Sequence, residues 1–206
     1  MDCRVNSSRL RKTKAPCEVC GLGLSHCICA EIPRLTLSTR VALIVHAKEL
    51  KRTTNSGRLA VAALSNSKML IRGRDHSRLD LSPLLTPDYT SLVFFPSEGA
   101  VELSLPYIAS LTRPVQLLVP DGNWRQASKV PVRHKELSHL PRVMLKIRNA
   151  ASHHLRAEHS EFGMSTLEAI AHAIGLFEGP VPGAALMALY EKKLQATLAG
   201  RGVYRE

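Results

Sequence analysis

Residues 115–124 read Val-Gln-Leu-Leu-Val-Pro-Asp-Gly-Asn-Trp, an apolar run that ends in a polar turn and the only tryptophan of the chain. The run is near-continuously apolar rather than alternating, which predicts a strand over 115–119 covered on both faces, as in a parallel sheet. Ligands of open α/β sheets bind beyond the carboxyl ends of the strands. We therefore expect a binding site at the turn 120–124.

Four other short apolar runs are bounded by turn residues in the same way and also predict strands. They lie at 41–46, 68–71, 91–95 and 142–148. Helical patterns fill the gaps at 57–64, 124–130, 166–177 and 184–199. Ser165 and Glu168 form a capping box before the third helix. The alternation predicts the α/β class, with a mainly parallel sheet flanked by helices.

The composition is that of an ordinary globular chain. Its 206 residues are 45% hydrophobic, which supplies a single core without disulfides. The longest runs without Asp, Glu, Lys or Arg are twelve residues, whereas a membrane-spanning helix needs about 20 apolar residues. No apolar stretch follows the basic N-terminal residues, so we expect no secretory signal. We expect a cytoplasmic protein without a membrane span.

The chain is strongly basic, with 28 Lys and Arg against 17 Asp and Glu and a net charge of +11. Residues 40–74 hold eight basic side chains and one acid, while 75–123 hold two basic side chains and six acids. This unevenness favours a polyanionic partner, and nucleic acid is the commonest one, because each neutralised phosphate releases counterions. The alternative is a solvated basic surface that keeps the protein in solution.

Four of the five cysteines form a compact motif near the N-terminus. Cytosolic thiols stay reduced, so clustered cysteines favour a metal ion over two disulfides. Zinc prefers four thiolates in a tetrahedron, and a closed set of four protein ligands is typical of a structural site. An iron–sulfur cluster and free or redox-active thiols are alternatives, as is His26 in place of one ligand. The expected ligands are Cys17, Cys20, Cys27 and Cys29.

Two further polar segments lie next to predicted helices. Residues 46–60 start at a strand end with His46 and run through Arg52 and the turn 55–57 into a helix. Such a loop, before a helix N-terminus, is suited to hold an anion. Residues 161–169 contain the capping box. Each of these segments, taken alone, is also explained by helix capping.

The turn after the central strand has two interpretations as well. Asp121 is a candidate base or hydrogen-bond acceptor, Gly122 permits close approach of a ligand, and Asn123 is a candidate N-cap. The alternative is that Asp121 and Asn123 only cap the helix while Trp124 packs in the core.

The motifs stand in an order that resembles the DTW-domain family over about residues 17–190. They are CxxC…CxC at 17–29, HxxExxRxTNSGRLA at 46–60, DGNW at 121–124 and STLEA at 165–169. Members of this family include tRNA-uridine aminocarboxypropyltransferases, and the chain resembles their bacterial branch. The resemblance implies transfer of the 3-amino-3-carboxypropyl group of S-adenosylmethionine to N3 of a tRNA uridine. It also implies a SPOUT-like fold with a trefoil knot.

Two positions depart from the family pattern. Asn123 stands where the family usually has Thr, and Ala47 stands where Pro is common. Asn can cap a helix as Thr does, so we expect the pocket to form.

The resemblance also implies roles for individual residues. Asp121 would accept the N3 proton of the uridine, with Glu49 and Glu168 as alternatives, and Trp124 would orient a ligand by stacking. S-adenosylmethionine would be held by Phe95, Pro96, Ser97, Pro120, Gly122, Asn123, Ser165, Thr166 and Glu168. RNA would be contacted by His46, Arg52, Asn55 and Arg58.

We expect three segments: a basic flexible tail at 1–16, a zinc-binding segment at 17–34 and a DTW catalytic domain at 35–206. The expected partner is tRNA, and nothing implies a protein partner. Two alternatives stay open, an S-adenosylmethionine-dependent RNA methyltransferase of SPOUT-like fold and a non-catalytic zinc-containing RNA-binding module. A methyltransferase leaves S-adenosylhomocysteine, whereas aminocarboxypropyl transfer leaves methylthioadenosine.

Overall fold

The computed structural model describes residues 16–74, 78–112, 114–147, 155 and 163–203. The strands within these ranges are β1 (Arg40–His46), β2 (Lys68–Arg72), β3 (Thr90–Phe94), β4 (Val101–Glu102), β5 (Val115–Asp121) and β6 (Arg142–Met144). They form one sheet in which every pairing is parallel, with the order β2-β1-β5-β3-β6-β4. The helices are α1 (Gly57–Ala63), α2 (Leu105–Ala109), α3 (Trp124–Ala127), α4 (Val130–Arg133), α5 (Thr166–Glu178) and α6 (Pro180–Ala199).

The central strands β1 and β5 are buried on both faces. In β1 the side chains of Leu43 and Val45 pack in the cluster that contains α1, α5 and α6. Those of Ala42 and Ile44 pack in a second cluster on the opposite face. This double burial explains the near-continuous apolar runs and confirms the predicted α/β class with a parallel sheet flanked by helices.

The predicted strands are confirmed, with changes at their ends. The strand predicted at 142–148 is only three residues long in β6, and the central strand extends through Asp121. The two-residue strand β4 was not predicted, because both of its residues are exposed and leave no apolar pattern.

The helices differ more from their predicted bounds. The helix predicted at 124–130 is divided into α3 and α4, because Pro131 lacks the N–H that a continuous helix would need there. Helix α6 begins at Pro180 rather than at 184, since proline is well placed in the first helical turn. Helix α2, which also begins beside a proline, was not predicted.

Helices α5 and α6 pack closely on one face of the sheet. The capping box that starts α5 is present, because Ser165 Oγ accepts the Glu168 N–H and the Glu168 carboxylate accepts the Ser165 N–H. A Cβ atom on Gly183 would lie only 2.7 Å from the Cα atom of Gly175, so glycine at both positions permits the close approach. Gly179, with φ of 95°, makes the turn between the two helices.

The N-terminal part of the described chain packs on this core. The buried side chains of Cys17, Cys20, Leu22 and Ile28 belong to the same apolar cluster as the core-facing side chains of α6. Residues 1–15, which make up nearly all of the predicted tail, lie outside the described residues. The three predicted segments and the trefoil knot stay predictions.

None of the helices formed by the described residues combines the length and apolar character that crossing a membrane requires.

Candidate active site and metal centre

Most of the predicted ligand-binding residues lie around one cavity at the carboxyl edge of the sheet. The cavity has a volume of about 370 Å³, within the range of about 300–1,000 Å³ that is usual for small-molecule sites. Segments 54–56, 94–96, 119–124, 144–145 and 163–166 supply most of its lining. Its walls are therefore the ends of β3, β5 and β6 and the residues that lead into α1 and α5.

Asp121, the last residue of β5, lines this cavity and is 5% exposed. Its Oδ2 atom accepts a hydrogen bond of 2.6 Å from Asn55 Nδ2. Its Oδ1 atom accepts a hydrogen bond of 2.6 Å from Thr166 Oγ1. Donors of this kind stabilise an ionised carboxylate and fix its orientation. Three chain segments that are far apart in sequence therefore meet at one carboxylate.

The loop before α1 is held against the start of α5. Ser56 Oγ accepts the backbone N–H of Leu167 at 3.1 Å, and Asn55 Oδ1 accepts the N–H of Arg58 at 3.3 Å. A Cβ atom on Gly57 would lie 3.2 Å from Asp121 Oδ2, so glycine lets the carboxylate approach the helix N-terminus. Asn55, which was predicted from the sequence to contact RNA, is buried here beside Asp121.

Trp124 lies at the opening of the cavity and is 60% exposed. Its ring packs on Phe95 with 5.0 Å between centroids and an angle of 39° between planes. The alternative that Trp124 packs in the core is therefore wrong. A large exposed aromatic face next to a cavity is available for stacking with a planar ligand.

Asn123 caps the short helix that carries this tryptophan. Its side chain accepts the Gln126 N–H at 2.9 Å, and Gln126 Oε1 accepts the Asn123 N–H at 2.9 Å. The cap therefore forms with Asn where the family usually has Thr. A Cβ atom on Gly122 would lie 2.9 Å from Gln126 Cβ, so this glycine is needed for packing within the turn as well as lining the cavity.

The predicted donor-binding residues divide into two groups. Those that line the cavity are Phe95, Pro96, Pro120, Gly122, Asn123, Ser165 and Thr166. Ser97 and Glu168 lie outside the lining. The Glu168 carboxylate binds the N-terminus of its own helix, and the buried hydroxyl of Ser97 has no hydrogen-bond partner among the described residues.

The three other predicted RNA contacts lie away from this cavity. His46 ends β1, and its pKa is lowered by burial and by the nearby charges of Arg72 and Lys48. Arg52 is exposed and pairs at 3.1 Å with the buried carboxylate of Glu49.

Arg58, the third of these contacts, has a structural use in the described chain. Its guanidinium donates to the backbone carbonyl of Glu18 at 3.2 Å and to that of Leu50. It therefore joins the cysteine segment to the loop before α1. The sequence contains no signal for this structural contact, because an arginine that faces solvent and one that bonds carbonyls can have the same neighbours in sequence.

The four cysteines of the N-terminal motif lie together in a group that can hold a metal ion. All four Sγ atoms lie within 4.8 Å of one another. The Sγ atoms are 3.4 Å apart for Cys17 and Cys29 and 3.7 Å apart for Cys20 and Cys27. Tetrahedral zinc with Zn–S bonds of about 2.3 Å places its sulfurs about 3.8 Å apart. The donor set fits structural zinc, and His26 is not part of the group.

A buried lysine lies beside this cysteine group. Lys193 of α6 is 0% exposed, and its Nζ atom donates to the Cys20 carbonyl at 2.5 Å. Burial, aided by the charge of Arg58 and opposed by the cysteines, lowers the pKa of Lys193 to about 8. Four thiolates on a divalent ion carry two net negative charges, which this ammonium group is placed to offset.

The sequence held a signal for Lys193. It follows Leu186 and Leu189 at helical spacing on the core-facing side of α6, where a lysine is unusual without a partner.

A family model described as DTW domain matches residues 14–198 of the chain. Three curated relatives carry the name tRNA-uridine aminocarboxypropyltransferase 2. The protein of Macaca fascicularis is 26% identical over 173 residues, which cover 81% of this chain and 58% of the relative. The protein of Drosophila melanogaster is 25% identical over 171 residues, covering 79% of this chain and 66% of the relative. The protein of Mus musculus is 27% identical over 168 residues, which cover 79% of this chain and 56% of the relative.

The chain spans 56–66% of the length of these relatives. No solved structure matches the chain. The named relatives are animal proteins, whereas the motifs indicated the bacterial branch, so the branch stays a prediction. Because the family model covers nearly the whole described chain, from the metal segment through α6, the chain belongs to the DTW-domain family.

Proposed function

We propose that the chain transfers the 3-amino-3-carboxypropyl group of S-adenosylmethionine to N3 of a uridine in tRNA. One observation carries this proposal: a fixed carboxylate, an exposed tryptophan and the start of α5 meet at a single cavity of about 370 Å³. The names of the relatives, which are tRNA-uridine aminocarboxypropyltransferases, support the reaction class.

The cavity has the mixed lining that S-adenosylmethionine requires. Apolar walls from Phe94, Leu145 and Met164 suit the adenine and the sulfonium methyl. The hydroxyls of Ser165 and Thr166 and the backbone of the turn 120–123 suit the ribose and the amino-acid end. The reaction also needs the γ-carbon of the methionine chain, and not the methyl, to face the base, so the regiochemistry depends on the pose.

The proposed chemical step is a substitution at that γ-carbon. Uridine N3 loses its proton to Asp121, the N3–C bond forms, and the C–S bond breaks, so that its electron pair leaves with neutral methylthioadenosine. Asn55 and Thr166 orient the carboxylate through their hydrogen bonds. In this proposal Asn55 is a positioning residue for Asp121 rather than an RNA contact.

Trp124 would hold the target base. Its exposed face, supported from behind by Phe95, can stack on a uridine that has left the RNA stack. Arg52, His46 and other basic groups of the region 40–74 would contact the RNA backbone outside the cavity.

Zinc is the proposed metal of the four-cysteine group, with a structural role. All four ligands come from the protein, so the ion would have no open position for a substrate. Its contribution would be to fold and hold the segment 17–31.

The by-product of the reaction tests the proposal. Purified protein, unmodified tRNA and S-adenosylmethionine should yield methylthioadenosine and a uridine that is heavier by the aminocarboxypropyl group. Asp121→Asn should abolish the product, whereas Asp88→Asn, at an exposed acid outside the cavity, should not. S-adenosylhomocysteine as the by-product would support a methyltransferase, and tRNA binding without either product would support a binding module.

A further inference from the structure

A second and larger hollow lies beside the proposed reaction cavity. It is a groove of about 760 Å³. One wall is the metal segment at 16–21, the opposite wall is the loop 50–53, and the base is formed by residues of α1 and by Met69 of β2. The proposed chemical step uses none of its residues, and only Arg52, named above as an RNA contact, has a proposed role there.

One loop connects the groove to the reaction cavity. Residues 50–53 line the groove, and the next residues, 54–56, line the cavity that contains Asp121. The two hollows therefore share one loop, and a polymer bound at the cavity would adjoin the groove across that loop.

The chemistry of the groove fits a nucleic-acid strand. Part of its lining is apolar, with Val19 of the metal segment and Val61 of α1 half-buried and Met69 36% exposed. Lys51 and Arg52 are exposed at its edge. Single-strand sites combine surfaces that contact base faces with cations that bind phosphates. This groove offers aliphatic rather than aromatic side chains for the bases, with the two cations beside them. Glu18 is the one carboxylate among the described residues that line the groove.

The metal segment is held in place as a wall of the groove. Arg58 bonds the Glu18 carbonyl on one wall and the Leu50 carbonyl on the other. Lys193 bonds the Cys20 carbonyl from behind. The shape of the groove therefore depends on the folded state of the cysteine segment.

We propose that this groove binds the RNA strand that adjoins the target uridine, with the metal segment as one wall of the RNA site. The inference rests on the proposed function only in taking RNA as the substrate. The basic segment 1–15, which precedes Pro16 at the groove, is a poorer occupant, because Lys51 and Arg52 would repel it.

Two variants in the groove and one outside it test this inference. Lys51→Glu reverses a charge at the edge, and Met69→Glu places a carboxylate on the exposed part of the base. Lys135→Glu is the matched control, since Lys135 is an exposed lysine that lines neither hollow. Fluorescence anisotropy measures the affinity for unmodified tRNA, calorimetry measures the affinity for S-adenosylmethionine, and circular dichroism checks that each variant is folded.

Each groove variant should weaken tRNA binding about tenfold, and Lys51→Glu should make the salt dependence shallower by about 0.7 in slope. The affinity for S-adenosylmethionine should stay within twofold of the unmodified protein. Unchanged tRNA affinity in both folded groove variants would overturn the inference, as would an equal loss in Lys135→Glu. If the protein without substitutions binds tRNA but makes no product, the proposed function is wrong. The binding measurements on the variants still test whether the groove contacts RNA.

Discussion

The hydrogen bond from Thr166 to Asp121 offers a sharp test of the proposed chemistry. Thr166→Val removes the donor to Asp121 Oδ1 at 2.6 Å while keeping the shape of the side chain. Ser165 caps α5, so the start of the helix should be retained. The other carboxylate oxygen keeps its bond from Asn55. The variant therefore perturbs one contact of the carboxylate and leaves its surroundings in place.

A hydrogen bond to a charged group contributes about 1.5–3 kcal/mol. If the bond is needed in the transition state, its loss lowers kcat/KM by about 10- to 150-fold. The assay is the initial rate of modified-uridine formation on tRNA, quantified by nucleoside mass, with urea unfolding to confirm that the variant is folded under assay conditions.

Thr166→Ser is the matched control, because it keeps the hydroxyl and loses only a methyl group. It should retain most of the activity. A valine variant with at least half of the original kcat/KM would refute the reasoning. So would a serine variant as impaired as the valine variant, since the methyl group rather than the bond would then matter.

Three further predictions follow from the same structure. Trp124→Ala should lower kcat/KM by about 5- to 150-fold, because stacking on a base contributes about 1–3 kcal/mol. Trp124→Phe keeps an aromatic ring and should retain part of the kcat/KM that the alanine variant loses. Equal rates for the two variants would contradict the stacking role. Cys20→Ser should lower the free energy of unfolding of the metal-loaded protein by about 3 kcal/mol or more, because it leaves Lys193 buried beside an incomplete cysteine group. Urea unfolding measures the free energy, and metal analysis measures the loss of the ion. A change in unfolding free energy below about 0.5 kcal/mol would contradict this prediction. Burial acts to raise the pKa of Glu136, but hydrogen bonds from its own N–H, from His134 and from the Leu81 N–H outweigh it and lower the pKa from 4.5 to about 2. Glu136 therefore stabilises the folded state above pH 4.5, and this stabilisation, at most about 3 kcal/mol, is lost as the pH falls toward 2. In Glu136→Gln, the free energy of unfolding should vary less with pH between 4.5 and 2.

The sheet was largely predictable because each buried strand leaves a local apolar pattern in the sequence. A parallel strand buried on both faces must be apolar along its length, and β1 and β5 satisfy that condition. The two residues of β4, Val101 and Glu102, are exposed and pair only with β6, so no local pattern marks them. Predicted helix ends failed where prolines allowed a break or an earlier start.

The candidate site was predictable in part for the same reason. A polar turn after a buried strand indicated the edge of the sheet where Asp121 and Trp124 line the cavity, since ligands collect at that edge of such sheets. The partners of Asp121 were not predictable. Asn55 and Thr166 lie 66 and 45 residues away in sequence, and their approach depends on how the loops before α1 and α5 pack.

Arginines and lysines were the hardest residues to interpret from sequence. Arg58 has the composition of an RNA contact, yet its guanidinium bonds backbone carbonyls on two segments. Lys193 has the composition of a surface residue, yet it is fully buried against the cysteine segment. A long cationic side chain can face solvent or protein from the same backbone position, and only the packing of distant segments decides between them.

The transfer of label from S-adenosylmethionine to tRNA tests the central claim most directly. Two preparations of the donor are compared, one labelled in the methyl group and one labelled in the methionine chain. We expect the chain label to appear in tRNA uridine and the methyl label to stay in methylthioadenosine. Methyl label recovered in the tRNA, with the chain label left in S-adenosylhomocysteine, would contradict the account.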